Sequence, residues 1–138
     1  RLLYVFGIGM ICFLSFDFPM ISNHNEAEKT TDFDKREKNY KGSATYYHNK
    51  FHGRKTASGE RYSKRKYTAA VRFNKIKVPF GTILEVTNTE KNKSVRVKVN
   101  DKMPKRSSAI IDLSRKAAKD LGMIKAGRVK VKIRVISE

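Results

Sequence analysis

Residues 42–138 carry only seven acidic side chains: Glu60, Glu85, Glu90, Asp101, Asp112, Asp120 and Glu138. Glu85 lies in an alternating segment, Glu90 in a polar turn, Asp120 in a helical segment and Glu138 at the end, so these four read as solvated charges. Asp112 stands two residues before a helix-capping Ser114, which gives it the role of an acceptor for loop or helix N–H groups. Glu60 and Asp101 remain, 41 residues apart. Glu60 closes the Gly-containing loop Thr56-Ala-Ser-Gly-Glu60, and Asp101 ends an alternating strand ahead of Pro104. A carboxylic acid at a strand end that faces a cleft can protonate a leaving oxygen, which is what glycosidic cleavage requires. His48 and His52 flank Phe51, but residues 42–138 hold no cysteine and the neighbouring Gly53 suits a loop, so no metal site is expected. His52 stays open between substrate binding and a structural role. Tyr46, Tyr47, Phe51 and Tyr62 have faces that can stack on sugars, although in a small barrel such rings are first of all core. No phosphate-binding loop, nucleotide fingerprint or Ser/His/Asp triad is present.

The elements that must position these residues are mostly strands. Val95, Val97 and Val99 alternate with Arg96 and Lys98, and Val129–Val135 repeats the pattern, which predicts half-buried strands with basic outer faces. Residues 82–87 form a third strand, joined to 94–100 by a polar turn as a hairpin. Residues 44–47, 68–71 and 109–113 are shorter strand candidates. Ser114 caps a single helix over 115–121 and Gly122 stops it. Several short strands and one helix predict a small closed barrel, since closure removes exposed edges.

Charge is distributed unevenly. The net charge is +18, yet residues 1–40 hold five Lys/Arg against six Asp/Glu, and residues 41–138 hold 26 against seven. Such a domain attracts polyanions, and charge alone does not choose among nucleic acid, cell wall and membrane surface. Residues 1–21 begin with Arg1 and an uncharged apolar run from Leu2 to Phe16, which predicts a signal peptide or short membrane anchor. Ile11 before the only cysteine, Cys12, fits a lipidation site poorly, so lipidation is not expected. Residues 22–41 are polar and read as a disordered linker.

The motifs Gly42-Ser-Ala-Thr-Tyr-Tyr47, Phe51-His-Gly-Arg-Lys-Thr-Ala-Ser-Gly-Glu60 and Tyr67-Thr-Ala-Ala70 follow one another. Val78-Pro-Phe-Gly-Thr82, Val97-Lys-Val-Asn-Asp101 and Ile111-Asp-Leu-Ser114 come next. In this order they resemble the rare lipoprotein A (RlpA) family of peptidoglycan lytic transglycosylases, over about residues 42–136. The resemblance implies a mainly β fold, a six-stranded double-psi β-barrel with one short α-helix. It implies cleavage of MurNAc–GlcNAc bonds in stem-peptide-poor glycan strands, with 1,6-anhydro products and no cofactor. It carries the catalytic pair onto Asp101 and Glu60, with Asp101 as proton donor and Glu60 as support. His52, Arg54, Lys55, Tyr46 and Asn100 are the candidate substrate-binding residues, Arg54 and Lys55 as counter-charges to anionic substituents. Two positions depart from the family: Val71 replaces a frequent His, and Lys102-Met103-Pro104 replaces Arg-Gly-Pro.

The expected partner is peptidoglycan, met as a monomer in the cell envelope after export, with membrane contact only through the leader. Val71 favours an alternative, a non-catalytic expansin-like module that binds wall glycan without cutting it. Nucleic acid is not expected, because no nucleic-acid motif accompanies the charge.

Overall fold

The computed structural model describes residues 37–138. The expected leader and most of the expected linker lie outside the described residues. Six strands, β1 (Asn39–Tyr46), β2 (Thr68–Val71), β3 (Ile83–Asn88), β4 (Lys93–Lys102), β5 (Ile111–Leu113) and β6 (Val129–Ser137), close into a barrel in the order β1-β5-β2-β4-β3-β6. Pairs β1–β5 and β2–β4 are parallel, and the other four are antiparallel. This is the double-psi β-barrel that the sequence leads one to expect. β1 starts at Asn39, so the last three residues placed in the linker, Asn39–Lys41, belong to the barrel. Tyr40 pairs with Ile133 and packs on the core, which draws that segment into the sheet.

Alternation builds the interior. Val95, Val97 and Val99 of β4 meet Leu84 and Val86 of β3 and Val129, Val131 and Ile133 of β6, all buried. The hairpin β3–β4 turns where Asn88 Oδ1 accepts the N–H groups of Glu90 and Lys91. Helix α1 (Arg115–Asp120) is capped as its sequence predicts: Ser114 Oγ accepts from Ala117 N, and Gly122 leaves the helix at φ +70°, where a residue with Cβ would be strained. Ala117, Ala118, Leu121 and Met123 are wholly buried and seal one side of the core.

Candidate functional site

Register places the site. Thr45 of β1 lies beside Asp112 of β5, Asp112 beside Ala70 of β2, and Ala70 beside Asp101 of β4. Neighbours in register present their side chains on the same face, so Thr45, Asp112, Ala70 and Asp101 form one row across four strands. A register shift between Ala69 and Ala70 makes this row possible. Ala69 pairs with Val99 and Ala70 with Asp101, which leaves Asn100 as an extra residue on β4. Uninterrupted pairing would set Asn100 beside Ala70. The bulge re-aims the strand end, a common device next to active sites.

The row belongs to a groove of about 560 Å³ that is also lined by Tyr47, Phe51, Arg54, Lys55, Thr56 and Tyr62 and by Lys102, Met103, Pro104 and Ser107. Ala70 between the two acids keeps the floor low, because its side chain is a single methyl.

The two acids differ in environment. Asp101 acts only as an acceptor: Oδ2 takes the Tyr47 hydroxyl at 2.6 Å, and Oδ1 takes the backbone N–H groups of Ala57 at 2.9 Å and Lys102 at 2.8 Å. Asp112 accepts from Thr45 Oγ1 at 3.1 Å. Burial pushes its carboxyl up to about 6; the Thr45 bond opposes this and the negative charge of Asp101 adds to it. The Tyr47 hydroxyl is held neutral, its proton retained far above the usual range by burial and then by the bond to Asp101. Its ring stacks on Tyr62 at 4.4 Å and meets Phe51 edge-on at 5.9 Å. Both contacts fix the hydroxyl toward Asp101.

Glu60 sits apart from the groove lining. Its carboxylate accepts from Lys98 Nζ at 2.6 Å and Asn100 Nδ2 at 3.1 Å, and these two contacts, Lys98 first, lower it below the usual carboxylate range. Its carbonyl receives the N–H of Thr56 and the Thr56 hydroxyl. Glu60 thereby ties the loop 56–60 onto β4, and that loop delivers the Ala57 N–H to Asp101.

Of the five candidate substrate-binding residues, Arg54 and Lys55 line the groove. His52 lies outside its lining, and its Nδ1 accepts the Lys64 N–H. Asn100 is buried under Glu60. Tyr46 packs against the core and donates its hydroxyl to Ile124 O; the next residue, Tyr47, is the one that reaches the groove. Simple alternation does not settle that choice, because β1 ends at Tyr46 and the chain turns there. Val71, at the position where the resembled family often has His, is wholly buried in the core, and Ala70 rather than Val71 faces the groove. Met103 lines the groove without strain: among the described residues Asn92 is the one non-glycine with positive φ.

Sequence reasoning passed over Asp112. The role given to it, serving helix N–H groups, is filled by Ser114 and by the Tyr62 hydroxyl, which accepts from Arg115 N. A signal was available: Asp112 stands between two apolar residues, Ile111 and Leu113, that point the opposite way into the core.

A closed six-stranded barrel with two parallel pairs and a groove floored by paired carboxyl groups defines a double-psi β-barrel with an acidic cleft. Residues 39–133 match the family model described as lytic transglycolase, and the chain belongs to that family. It is 46% identical over 96 residues to the probable endolytic peptidoglycan transglycosylase RlpA of Aquifex aeolicus, covering 70% of this chain and 41% of that protein. It is 44% identical over 95 residues to the endolytic peptidoglycan transglycosylase RlpA of Neisseria meningitidis, covering 69% and 38%. The chain thus spans about two fifths of the length of these relatives. Among solved structures, apo expansin of Clavibacter michiganensis superimposes with a TM-score of 0.58 at 26% identity, covering 73% of this chain and 52% of that one. The Streptomyces papain inhibitor shares the fold, with a TM-score of 0.57 at 24% identity over 72% of this chain and 94% of that one.

Proposed function

We propose that this protein is a peptidoglycan lytic transglycosylase of the cell envelope. The observation that carries the reading is the row Asp101–Ala70–Asp112 on an open groove, with one carboxyl raised to about 6 beside a second that is engaged only as an acceptor. A carboxyl that keeps its proton to higher pH than usual, beside a second that is engaged as an acceptor, suits acid–base cleavage of a glycosidic bond. Asp112 donates its proton to the oxygen linking MurNAc C1 to GlcNAc C4. The C1–O bond breaks, the C6 hydroxyl oxygen of the same MurNAc bonds to C1, and its proton passes to Asp101. The product is a 1,6-anhydro end, and no water is consumed. This reading moves the acid from Asp101 to Asp112 and keeps Asp101 in the chemistry.

Tyr47 and the Ala57 N–H orient Asp101. Glu60, bound to Lys98 and Asn100, positions the loop that supplies Ala57. Arg54 and Lys55 offer positive charge to anionic substituents at the groove wall. The relatives' names support peptidoglycan as the partner, and the leader and linker give the domain export and reach as a monomer.

Mass spectrometry of products from stem-less glycan strands tests the reading. Anhydro ends are expected; reducing ends would mean hydrolysis. Binding without products would favour the alternative, an expansin-like glycan-binding module.

A further inference from the structure

A second concavity lies apart from the groove and shares no lining residue with it. It measures about 470 Å³ and is lined by Asn49, Lys64, Arg65, Arg115, Lys116 and Lys119, an amide and five cations with no acid between them. None of the five makes a salt bridge among the described residues. On the outer sheet face the chain interleaves signs, with Glu85 between Arg96 and Arg134. Here it gathers one sign. Arg115 and Lys119 stand four residues apart on α1, a spacing at which like charges repel.

The backbone under these cations is fixed. Lys116 N donates to Lys64 O at 3.1 Å, and Lys64 N donates to His52 Nδ1 at 3.2 Å. The helix, the segment at Lys64 and the 3₁₀ turn Asn49–Phe51 that His52 closes are thereby tied together. The Arg115 guanidinium lies 5.9 Å from the ring centre of Tyr46, and the Lys116 ammonium 4.7 Å from that of Tyr67, so each side chain rests on a ring and not on an acid.

The lining carries no aromatic side chain on which bases could stack and no apolar one to enter a bilayer. It offers cations, guanidinium forks and an amide. A phosphate answers such a set, because its oxygens accept several N–H donors at once and guanidinium binds them in pairs. One phosphodiester carries a single charge against five, so the ligand that fits repeats the group. With no ring or apolar contact for a spacer, the spacer is small and hydrophilic.

We propose that this concavity anchors a phosphodiester polymer whose repeats are joined by small polyols, separately from the groove and independently of cleavage there. Asn49 and Phe51 are the two ends of one 3₁₀ turn, and Phe51 lines the groove, so a polymer held at Asn49 lies beside the groove.

Fluorescence anisotropy of the full chain with a labelled glycerol phosphate oligomer tests the site. The triple variant Arg65→Gln, Arg115→Gln, Lys119→Gln should weaken binding by about thirtyfold or more. A second triple, Lys41→Gln, Lys130→Gln, Lys132→Gln, removes the same charge from strands β1 and β6 and should weaken it by less than about threefold. Equal weakening in the two would overturn the site, since the charge would then act diffusely. Glutamine relieves the repulsion on α1, so Tm of the first triple should hold or rise; a marked fall would make the cluster structural and overturn the assignment. Two further probes decide the ligand: oligonucleotides with the same number of phosphates, single- and double-stranded, and vesicles of anionic phospholipid. Each should bind about tenfold more weakly per phosphate than the glycerol phosphate oligomer, and tighter binding of either would overturn the polyol polymer as ligand. Release of anhydro-sugars from phosphate-free strands should be the same in the first triple as in the wild type. A loss there would overturn the separation of this site from the groove.

Discussion

Glu85 and Asp112 are both carboxylic acids on barrel strands, and they end in opposite states. On the outer face, Glu85 pairs with Arg134 of β6 at 2.7 Å and with Arg96 of β4 at 3.6 Å, and Arg134 foremost holds it below the usual carboxylate range. In the groove, Asp112 meets a threonine hydroxyl and a second acid, and burial holds it up. Twenty-six basic residues in residues 41–138 do not prevent this, because none of their charges reaches Asp112 closely enough to rank among the causes of its shift. Local partners, and not net charge, decide which carboxyl keeps a proton. A surface acid paired with arginines makes a small structural contribution, and a half-buried one with no cationic partner is a candidate for acid–base work.

The largest effect should come from removing either groove carboxyl. Asp112→Asn and Asp101→Asn should each lower kcat/KM by about 10²–10⁴ with the fold retained, measured by release of anhydro-sugars. Full activity in Asp112→Asn would return the acid to another group.

The same substitution should stabilise the protein, which sharpens the contrast with Glu85. Asp112 binds its proton more tightly folded, at about 6, than its ordinary value of 3.8. Stability is therefore lost as pH rises from about 4 to 6, and the loss is complete above that window. Asp112→Asn removes it, gaining roughly 1–3 kcal/mol at pH 7.5 and little at pH 3.5, read from urea midpoints. For Glu85 the sign is opposite. Its folded value is lowered, so its contribution is present above the ordinary 4.5 and fades as pH falls through the folded value.

Activity should follow the proton on Asp112: kcat/KM should fall above pH about 6. Tyr47→Phe deletes the hydroxyl that orients Asp101 while keeping the stack on Tyr62, and should cost about tenfold in kcat/KM. The smallest effect belongs to the outer face. Glu85→Gln should leave kcat/KM unchanged and shift Tm by no more than about 4 °C.

Most of the frame was legible in the sequence. Val95, Val97 and Val99 announced β4 by period two, the polar run after Asn88 announced the hairpin, and Ser114 and Gly122 bracketed the helix. Asp101 was legible through the order of its surrounding motifs. What could not be read was how β4 meets β2. The bulge at Asn100 depends on the partner strand, and it decides that Asp101 stands in line with Asp112. Tyr47 was obscured for a similar reason, since period two ends with β1 at Tyr46. Asp112 was obscured because an aspartate ahead of a helix has a commoner use in serving N–H groups, and only the fold reveals that Tyr62 serves the Arg115 N–H beside the Ser114 cap.

The division of labour between the two groove acids can be measured by ¹³C NMR titration of the Asp112 side-chain carboxyl, in the wild type and in Asp101→Asn. The account predicts a midpoint near 6 in the wild type. It predicts a smaller but still raised value in Asp101→Asn, because burial is the first cause and the Asp101 charge only adds to it. A wild-type midpoint near 4 would contradict it, since Asp112 would then carry no proton to give at neutral pH.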